Sequence, residues 1–202
     1  MKTTRSRRAA AAVVAIAIAG IAMVAMNSPA AAAKHPMARA TLFNTAGEKV
    51  GEVVFKGPGK YADVVEVKMV APAAPNPGSF HGFHIHTTGV CNPAPSGASN
   101  VPFGSAGGHW NPTGADHGAH KGDMPSALMT AEGEVSTKFE TDRFNVTELI
   151  DAAGDGSAVI VHVGRDNFAN IPVDPYGGPN ATTLATGDAG GRYACGVVQA
   201  AK

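Results

Sequence analysis

The chain has 202 residues, with 16 Lys and Arg balancing 16 Asp and Glu, and 44% of its residues are hydrophobic. The sequence has no excess of basic residues, which argues against a nucleic-acid-binding protein. The first 33 residues contain four basic residues and no acidic ones, so residues 34–202 carry 12 basic and 16 acidic residues, a net charge of about −4. A segment of this length is typical of one domain with a substantial core.

The first 33 residues have the order of regions found in a secretory signal peptide. A basic start with Arg7 and Arg8 precedes an apolar run over 9–26, and small residues follow at 31–33. We therefore expect residues 1–33 to be removed on export, leaving residues 34–202 as the functional domain. The apolar run is also about long enough to span a bilayer, so an uncleaved membrane anchor is the alternative. Arg7 and Arg8 leave the export route open between the general secretory and twin-arginine pathways.

Eight short segments after the leader have the features of β-strands. They alternate apolar and polar positions, contain many β-branched residues and are bounded by Gly or Pro. In chain order they cover 38–43, 49–56, 61–70, 82–87, 127–131, 134–140, 157–164 and 192–200. One short helix is expected over 145–153. This pattern predicts an all-β, antiparallel barrel or sandwich.

Two connections are too long to be simple turns. They run over 88–125 and 165–191, and loops of this length in a compact domain are usually either functional or disordered. The first contains three histidines and Cys91, so we expect the loops to be functional. Cys91 and Cys195 are the only cysteines, and two cysteines in an exported chain most simply form one disulfide.

Three histidines lie on predicted strands. His84 and His86 are two residues apart, so they project from the same face of a strand and can both reach one metal ion. The alternative is a pair of surface histidines. His162 follows the apolar run 157–161, and a lone histidine in such a place is more often a buried structural residue than a ligand, so the residues alone do not select it as a ligand.

The first long loop contains a second group of candidate ligands within fifteen residues. They are His109, His117, His120 and Asp123. Three imidazoles and one carboxylate complete a tetrahedral zinc site, and zinc without an open position is structural. The set therefore predicts a structural zinc and not a hydrolytic centre. The alternative is a polar loop that happens to contain histidines.

Four motifs resemble the copper,zinc superoxide dismutase family in order and spacing. They are Gly-Phe-His-Ile-His at 82–86, Ala-Gly-Gly-His-Trp-Asn-Pro at 106–112, His-Lys-Gly-Asp at 120–123 and Gly-Asp-Ala-Gly-Gly-Arg-Tyr-Ala-Cys-Gly at 187–196. The resemblance covers residues 38–198. It implies an eight-stranded antiparallel Greek-key barrel or sandwich with two long functional loops. It also implies an antioxidant oxidoreductase that converts superoxide into dioxygen and hydrogen peroxide with copper and zinc as cofactors.

The resemblance also implies a role for individual residues. The copper ligands would be His84, His86, His109 and His162. The zinc ligands would be His109, His117, His120 and Asp123, with His109 bridging the two ions and acting as an acid in catalysis. Asp166 would hydrogen-bond ligand histidines of both metals, Arg192 would attract and orient superoxide, and Cys91 and Cys195 would form the disulfide in its bacterial position.

Two features depart from the pattern of the family. Only two residues separate His117 from His120, where most members have a longer insertion, which leaves the occupancy of the zinc site open. The loop over 165–191 contains no lysine and only Arg165 as a flanking cation, so the lysine-assisted steering of the family would be absent or replaced.

Two other functions are alternatives to the dismutase. A non-catalytic copper-binding module of the same fold would tend to lack a copper ligand or the arginine, and a zinc hydrolase would need an open zinc position. For the dismutase we expect a secreted or extracytoplasmic protein, in the cell envelope or periplasm, with superoxide as its substrate. We expect no nucleic-acid partner and no membrane contact after signal cleavage, while a homodimer remains open.

Overall fold

The computed structural model describes residues 37–57, 63–98, 100–151 and 154–201. This part of the chain contains strands β1 (Met37–Asn44), β2 (Lys49–Lys56), β3 (Asp63–Val70), β4 (Phe80–His81), β5 (Phe83–His86), β6 (Ala127–Leu128), β7 (Glu134–Thr141), β8 (Ala158–His162), β9 (Arg192–Val197) and β10 (Gln199–Ala200). It also contains a 3₁₀ turn at Gly104–Ala106 and three short helices, α1 (Val146–Asp151), α2 (Val173–Tyr176) and α3 (Ala181–Thr186). The expected signal peptide at 1–33 lies outside the described residues. Within them, no helix combines the length and apolarity needed to cross a membrane.

Eight of the strands form one curled antiparallel sheet. Its order is β5-β8-β9-β1-β2-β3-β7, and β10 pairs with β1. The two remaining strands, β4 and β6, pair with each other in a separate small sheet. Neighbouring strands are often far apart in the chain, so the connections cross between strands as they do in Greek-key folds. The all-β antiparallel architecture expected from the sequence is confirmed.

The strand boundaries differ from the predicted ones in a few places. The predicted strand at 127–131 is a strand only over Ala127–Leu128, and the one at 192–200 is interrupted at Val198. At this point the N–H of Val198 donates to the carbonyl of Ser157 at 2.9 Å. The helix expected over 145–153 is found as α1, and residues 152–153 lie outside the described part. The six-residue α3 is too short for hydrophobic periodicity to reveal.

The two faces of β5 and β8 position the candidate ligands. Phe83 and Ile85 of β5 belong to the main hydrophobic core. Because side chains alternate along a strand, His84 and His86 project from the opposite face. On that face Ile160 of β8 packs with Phe103 of the first long loop in a second, smaller apolar cluster. The candidate ligands therefore lie on the outside of the curled sheet, beneath the first long loop.

Backbone hydrogen bonds fix the long loops to the sheet and to each other. The N–H of Trp110 donates to the carbonyl of Ile85 at 2.8 Å, and the N–H of Ile85 donates to the carbonyl of Gly122 at 2.8 Å. The N–H of His117 donates to the carbonyl of Leu184 in α3, also at 2.8 Å, which joins the two loops. These hydrogen bonds give both loops a defined conformation, which argues against the alternative that they are disordered.

Candidate metal centre

The first set of ligands comes mainly from two paired strands. β5 and β8 pair antiparallel with Phe83 opposite Val161, and the pairing of β8 with its other neighbour, β9, shifts register between Val161 and His162. This irregularity comes at the residue that ends β8, where the N–H of His162 donates to the carbonyl of Gly82 at 2.8 Å. The result is that His162 lies beside His84, with ring centroids 4.9 Å apart.

Ring nitrogens from four buried histidines converge within 4.8 Å of one another. The four are His84, His86, His109 and His162. The Nδ1 of His84 and the Nε2 atoms of His86 and His162 are buried and have no hydrogen-bond partner among the described residues. Since buried polar atoms are almost always paired, nitrogens of this kind that face one another fit a shared metal ion.

In His86 and His162, the ring nitrogen that faces away from the other ligands makes a hydrogen bond that fixes the tautomer. The Nδ1 of His86 lies 2.9 Å from the carbonyl of Gly107, and the Nδ1 of His162 lies 3.1 Å from the carbonyl of Gly190. A carbonyl oxygen only accepts, so both Nδ1 atoms carry hydrogen and both Nε2 lone pairs remain free. Burial lowers the pKa of His86 and of His162 well below 6.5, which keeps both rings neutral, as metal binding requires.

The second set of ligands surrounds one carboxylate oxygen. The Oδ1 of Asp123 lies 3.2 Å from the Nδ1 of His109, 3.3 Å from that of His117 and 3.3 Å from that of His120. Four ligands at about 2.0 Å from a tetrahedral zinc ion are separated by about 3.3 Å, so these three spacings fit zinc. The Nδ1 atoms of His117 and His120 are also buried without a hydrogen-bond partner among the described residues.

His84 lies close to both sets. Its ligand atom and those of His109, His117 and Asp123 also fall within 4.8 Å of one another, in a grouping that leaves out His120. We place His84 with the first set because His120, at 3.3 Å from Asp123, already completes four ligands around the second position. His109 belongs to both sets, since its Nδ1 faces Asp123 and its Nε2 is left for the other three histidines.

The charges of the second set complement one another. Burial raises the pKa of Asp123, but the hydrogen bond to His109 and the close contact with the imidazole of His117 outweigh it and hold that pKa well below its usual range. Burial lowers the pKa of His109 to about 4 against the opposing hydrogen bond to Asp123. Burial by itself would lower the pKa of His117, yet the neighbouring carboxylates of Asp123 and Asp166 raise that pKa to about 9. A cation that binds here would therefore displace a proton from His117.

Asp166 connects the two sets from the second long loop. Its fully buried carboxylate accepts from the Nε2 of His84 at 2.7 Å and from the Nε2 of His117 at 2.8 Å. These bonds outweigh the effect of burial and keep the pKa of Asp166 well below its usual range. Gly187, at φ +60°, lies so close that a side chain there would meet both Asp166 and His117. Asp166 therefore contacts one candidate ligand from each set.

Comparison with known proteins identifies the family of the chain. The profile of the family described as copper/zinc superoxide dismutase (SODC) matches residues 49–198. The chain belongs to this family. The protein named Superoxide dismutase [Cu-Zn] of Mycobacterium tuberculosis is 40% identical over 167 residues, which are 78% of this chain and 68% of the relative.

Two solved structures are similar to the chain over their whole length. The Cu/Zn superoxide dismutase from Brucella abortus has a TM-score of 0.61 and 27% identity, and the match covers 81% of this chain and 99% of that one. A SOD-like protein from Bacillus subtilis has a TM-score of 0.58 and 26% identity, over 79% of this chain and 96% of that one. The Greek-key barrel expected from the resemblance is thereby confirmed.

In this superoxide dismutase family member, Arg192 lies beside the first ligand set. With His86, His109 and His162 it lines a cavity of about 650 Å³. Its guanidinium donates to the carbonyl of Phe103 and to that of Gly107, both at 2.7 Å. The carbonyl of Gly107 also accepts from His86, so one peptide group orients both the arginine and a candidate ligand. Burial lowers the pKa of the Arg192 guanidinium below its usual value, but an arginine keeps its charge near neutral pH.

The expected disulfide joins Cys91 in the first long loop to Cys195 in β9. The two Cα atoms are 5.7 Å apart across 104 residues of sequence. Cys91 packs at the edge of the small apolar cluster that contains Phe103, whose carbonyl binds Arg192. The disulfide therefore fixes the segment that holds the arginine in place.

One buried histidine was not assigned a role from the sequence. The ring of His81 is fully buried, with Nδ1 at 2.8 Å from the carbonyl of His162 and Nε2 at 3.3 Å from that of Asn76. Its contact with His162 supports the end of β8, where the chain departs from regular pairing. His81 lies three residues before His84 in the chain, and this closeness to a candidate ligand is the one sequence feature that points to it. The sequence does not reveal which carbonyl groups the ring contacts.

Proposed function

We propose that this chain is an extracytoplasmic dismutase in which two superoxide anions and two protons become one dioxygen and one hydrogen peroxide. The observation that carries the proposal is the convergence of four buried imidazoles, three of them with unpaired nitrogens that face one another, beside a cavity lined by Arg192. Membership of the copper/zinc superoxide dismutase family supplies the reaction and the two cofactors.

The residues present fit both cofactors. Neutral imidazoles suit copper, and His84, His86, His109 and His162 would hold it. Three imidazoles and a carboxylate suit zinc, and His109, His117, His120 and Asp123 would hold it in a closed site. Bound copper supplies the one-electron redox chemistry of the reaction. Asp166, bonded to a ligand of each ion, would keep the two sites in a fixed relation.

His109 is placed to handle a proton. Its Nδ1 faces Asp123 in the second set, and its Nε2 faces the cavity shared with Arg192. The lone pair of Nε2 cannot hold a metal ion and a proton at once, so whenever it is not a ligand it can take a proton from solvent and release it to a peroxide anion in the cavity. We assign His109 this role as a general acid acting at Nε2.

Arg192 is placed to attract the anion. Two of its five N–H groups are used on the carbonyls of Phe103 and Gly107, which leaves three for the cavity. Among the described residues that line the cavity, Arg192 is the one permanent cation and Asp188 the one carboxylate. Residues 34–202 carry a net negative charge, so this local positive charge would oppose the repulsion of superoxide by the rest of the protein.

Export is supported by the signal-like leader at 1–33 and by the disulfide. Disulfides form and persist in oxidising compartments outside the cytoplasm. The chain would therefore act as an antioxidant on superoxide in the cell envelope, the periplasm or the surroundings, with residues 34–202 as the mature domain. Homodimer formation stays a prediction, and light scattering of the purified protein would measure it.

The two alternative functions fit the site less well. A zinc hydrolase needs an open zinc position, whereas Asp123 and three histidines already offer four ligands. A non-catalytic copper module would not need an arginine fixed by two hydrogen bonds at the mouth of the copper site.

Metal analysis combined with a superoxide-decay assay tests the proposal. The full chain would be expressed with its leader, and the exported product purified from cells supplied with copper and zinc. We expect one copper and one zinc per chain, and accelerated superoxide decay that disappears in metal-free protein. A copper-loaded, disulfide-bonded protein without activity would contradict the proposal and favour the non-catalytic module.

A further inference from the structure

The short stretch between His117 and His120 has to fold back sharply. The two histidines have only Gly118 and Ala119 between them, yet both bring Nδ1 to 3.3 Å from the same oxygen of Asp123. Gly118 adopts φ +89°, and a side chain there would lie 2.7 Å from the carbonyl oxygen of Phe168. Glycine adopts a positive φ readily, whereas a residue with a side chain would not fit at this position.

One edge of this stretch is held by Asp123 itself. The N–H groups of Gly118 and His120 donate to Oδ2 of Asp123 at 2.7 and 3.1 Å. The other oxygen, Oδ1, faces the three candidate zinc ligands. The carboxylate thus orders the N–H groups of the stretch with one oxygen and completes the ligand set with the other.

The opposite edge is held by Arg143, which follows β7. Its Nη1 donates to the carbonyl of His120 at 2.8 Å, and its Nη2 donates to the carbonyl of Gly118 at 2.9 Å. The same two residues therefore give their N–H groups to a carboxylate and their carbonyl groups to a guanidinium. Arg143 makes no ion pair with a carboxylate among the described residues, so its planar fork is used on these two carbonyls.

The position of Arg143 is fixed by the core. The next residue, Phe144, is buried and packs edge-on against Phe55, with ring centroids 6.2 Å apart. Phe144 also lies 6.5 Å from the ring of Trp110, which belongs to the first long loop. The half-buried Arg143 therefore connects a segment that is packed into the core with the first long loop, which, among the residues that the structure describes, contains no strand or helix around the candidate zinc ligands.

We propose that Arg143 is a positioning residue for zinc, which holds the carbonyl groups of Gly118 and His120 so that the ring of His120 reaches the ligand set. The inference rests on the proposed zinc site. A rigid fork is needed because two carbonyls must be bound at once. Lysine carries the same charge but presents it as a point on a flexible stem, so it would replace the fork only in part.

The test compares Arg143→Met and Arg143→Lys with Arg39→Met in the exported full-length product. Arg39 is a matched control because it pairs with Glu52 on the surface of β1 and β2. The zinc dissociation constant would be measured by competition with a chelator, and the visible spectrum of the cobalt(II)-substituted site would report tetrahedral coordination. Copper content would show that the first set of ligands is intact.

We expect Arg143→Met to weaken zinc binding by about 10–100-fold, the usual range for a group that orients a metal ligand. Its cobalt(II) spectrum should lose tetrahedral intensity, while copper content and the Arg39→Met protein stay at wild-type levels. Arg143→Lys should be intermediate, and it serves as the test if Arg143→Met does not fold. Zinc affinity within twofold of wild type in both variants would overturn the role of Arg143 alone. If the wild type binds neither zinc nor cobalt(II), the zinc assignment falls, and this inference falls with it.

Discussion

The two halves of the candidate metal centre are built in different ways. Three of the proposed copper ligands, His84, His86 and His162, are on β5 and β8, whose register is set by the sheet. The proposed zinc ligands His117, His120 and Asp123 come from an irregular loop, where side chains satisfy the backbone. The copper half is therefore positioned once the barrel folds. The zinc half depends on local hydrogen bonds and on the ion, so zinc binding should contribute to the order of the loop.

The largest expected effect comes from removing a copper ligand. His162→Ala should abolish dismutation, because it removes one of the four converging imidazoles. The zinc ligands and the disulfide are untouched, so the variant should still fold and bind zinc. Superoxide decay and metal content of the purified protein measure both outcomes. Full activity in copper-loaded His162→Ala would show that the strand-built half does not hold the reactive metal.

The next largest effect concerns the charge beside the copper half. Arg192→Glu places a negative charge where the anion is expected to bind, and it should lower the rate about tenfold or more, whereas Arg192→Lys should lower it less. The wild-type rate should also fall as salt rises, because salt screens the attraction. Rates measured at several ionic strengths decide this. Equal rates for the Glu and Lys variants would remove the steering role.

The disulfide tests whether the copper half depends on its loop as well as on its strands. Closing a loop of about a hundred residues stabilises a protein by on the order of 4–5 kcal/mol in the chain-entropy model. Paired Cys91→Ser and Cys195→Ser changes should lower the free energy of unfolding by up to that amount in denaturant titrations. They should also loosen the Phe103 segment that holds Arg192, and so reduce activity at full copper occupancy. Activity unchanged at full copper loading would mean that the strands alone position the arginine.

The same contrast explains how much could be predicted from the sequence. His84 and His86 could be placed together from strand alternation alone, and the long loops were recognised from their length and their histidines. The roles of His162 and Asp166 needed the resemblance to a family, because the pairing of β5 with β8 and the contacts of a loop carboxylate are long-range. Arg143 and His81 act on backbone carbonyls, and residue type does not show which carbonyl a side chain will meet.

The smallest effect on activity, and the sharpest test of the zinc half, is expected for His120→Ala. The change removes the ligand that has to fold back within three residues of His117. Copper ligands on the strands remain, so the copper-loaded variant should still catalyse dismutation. Stability should respond instead, because each tenfold loss of zinc affinity lowers the free energy of unfolding by about 1.4 kcal/mol when zinc is in excess.

Thermal unfolding with excess zinc and after zinc removal measures this effect. With zinc, His120→Ala should melt below wild type; without zinc, the two proteins should melt at nearly the same temperature, because the difference arises from binding. A difference of the same size in both conditions would mean that His120 stabilises the fold independently of zinc. A wild type that contains copper but no zinc after growth with zinc supplied would make this a copper-only enzyme. The hydrogen bonds of Asp123 and Asp166 would then hold the loop without a metal ion in the second set.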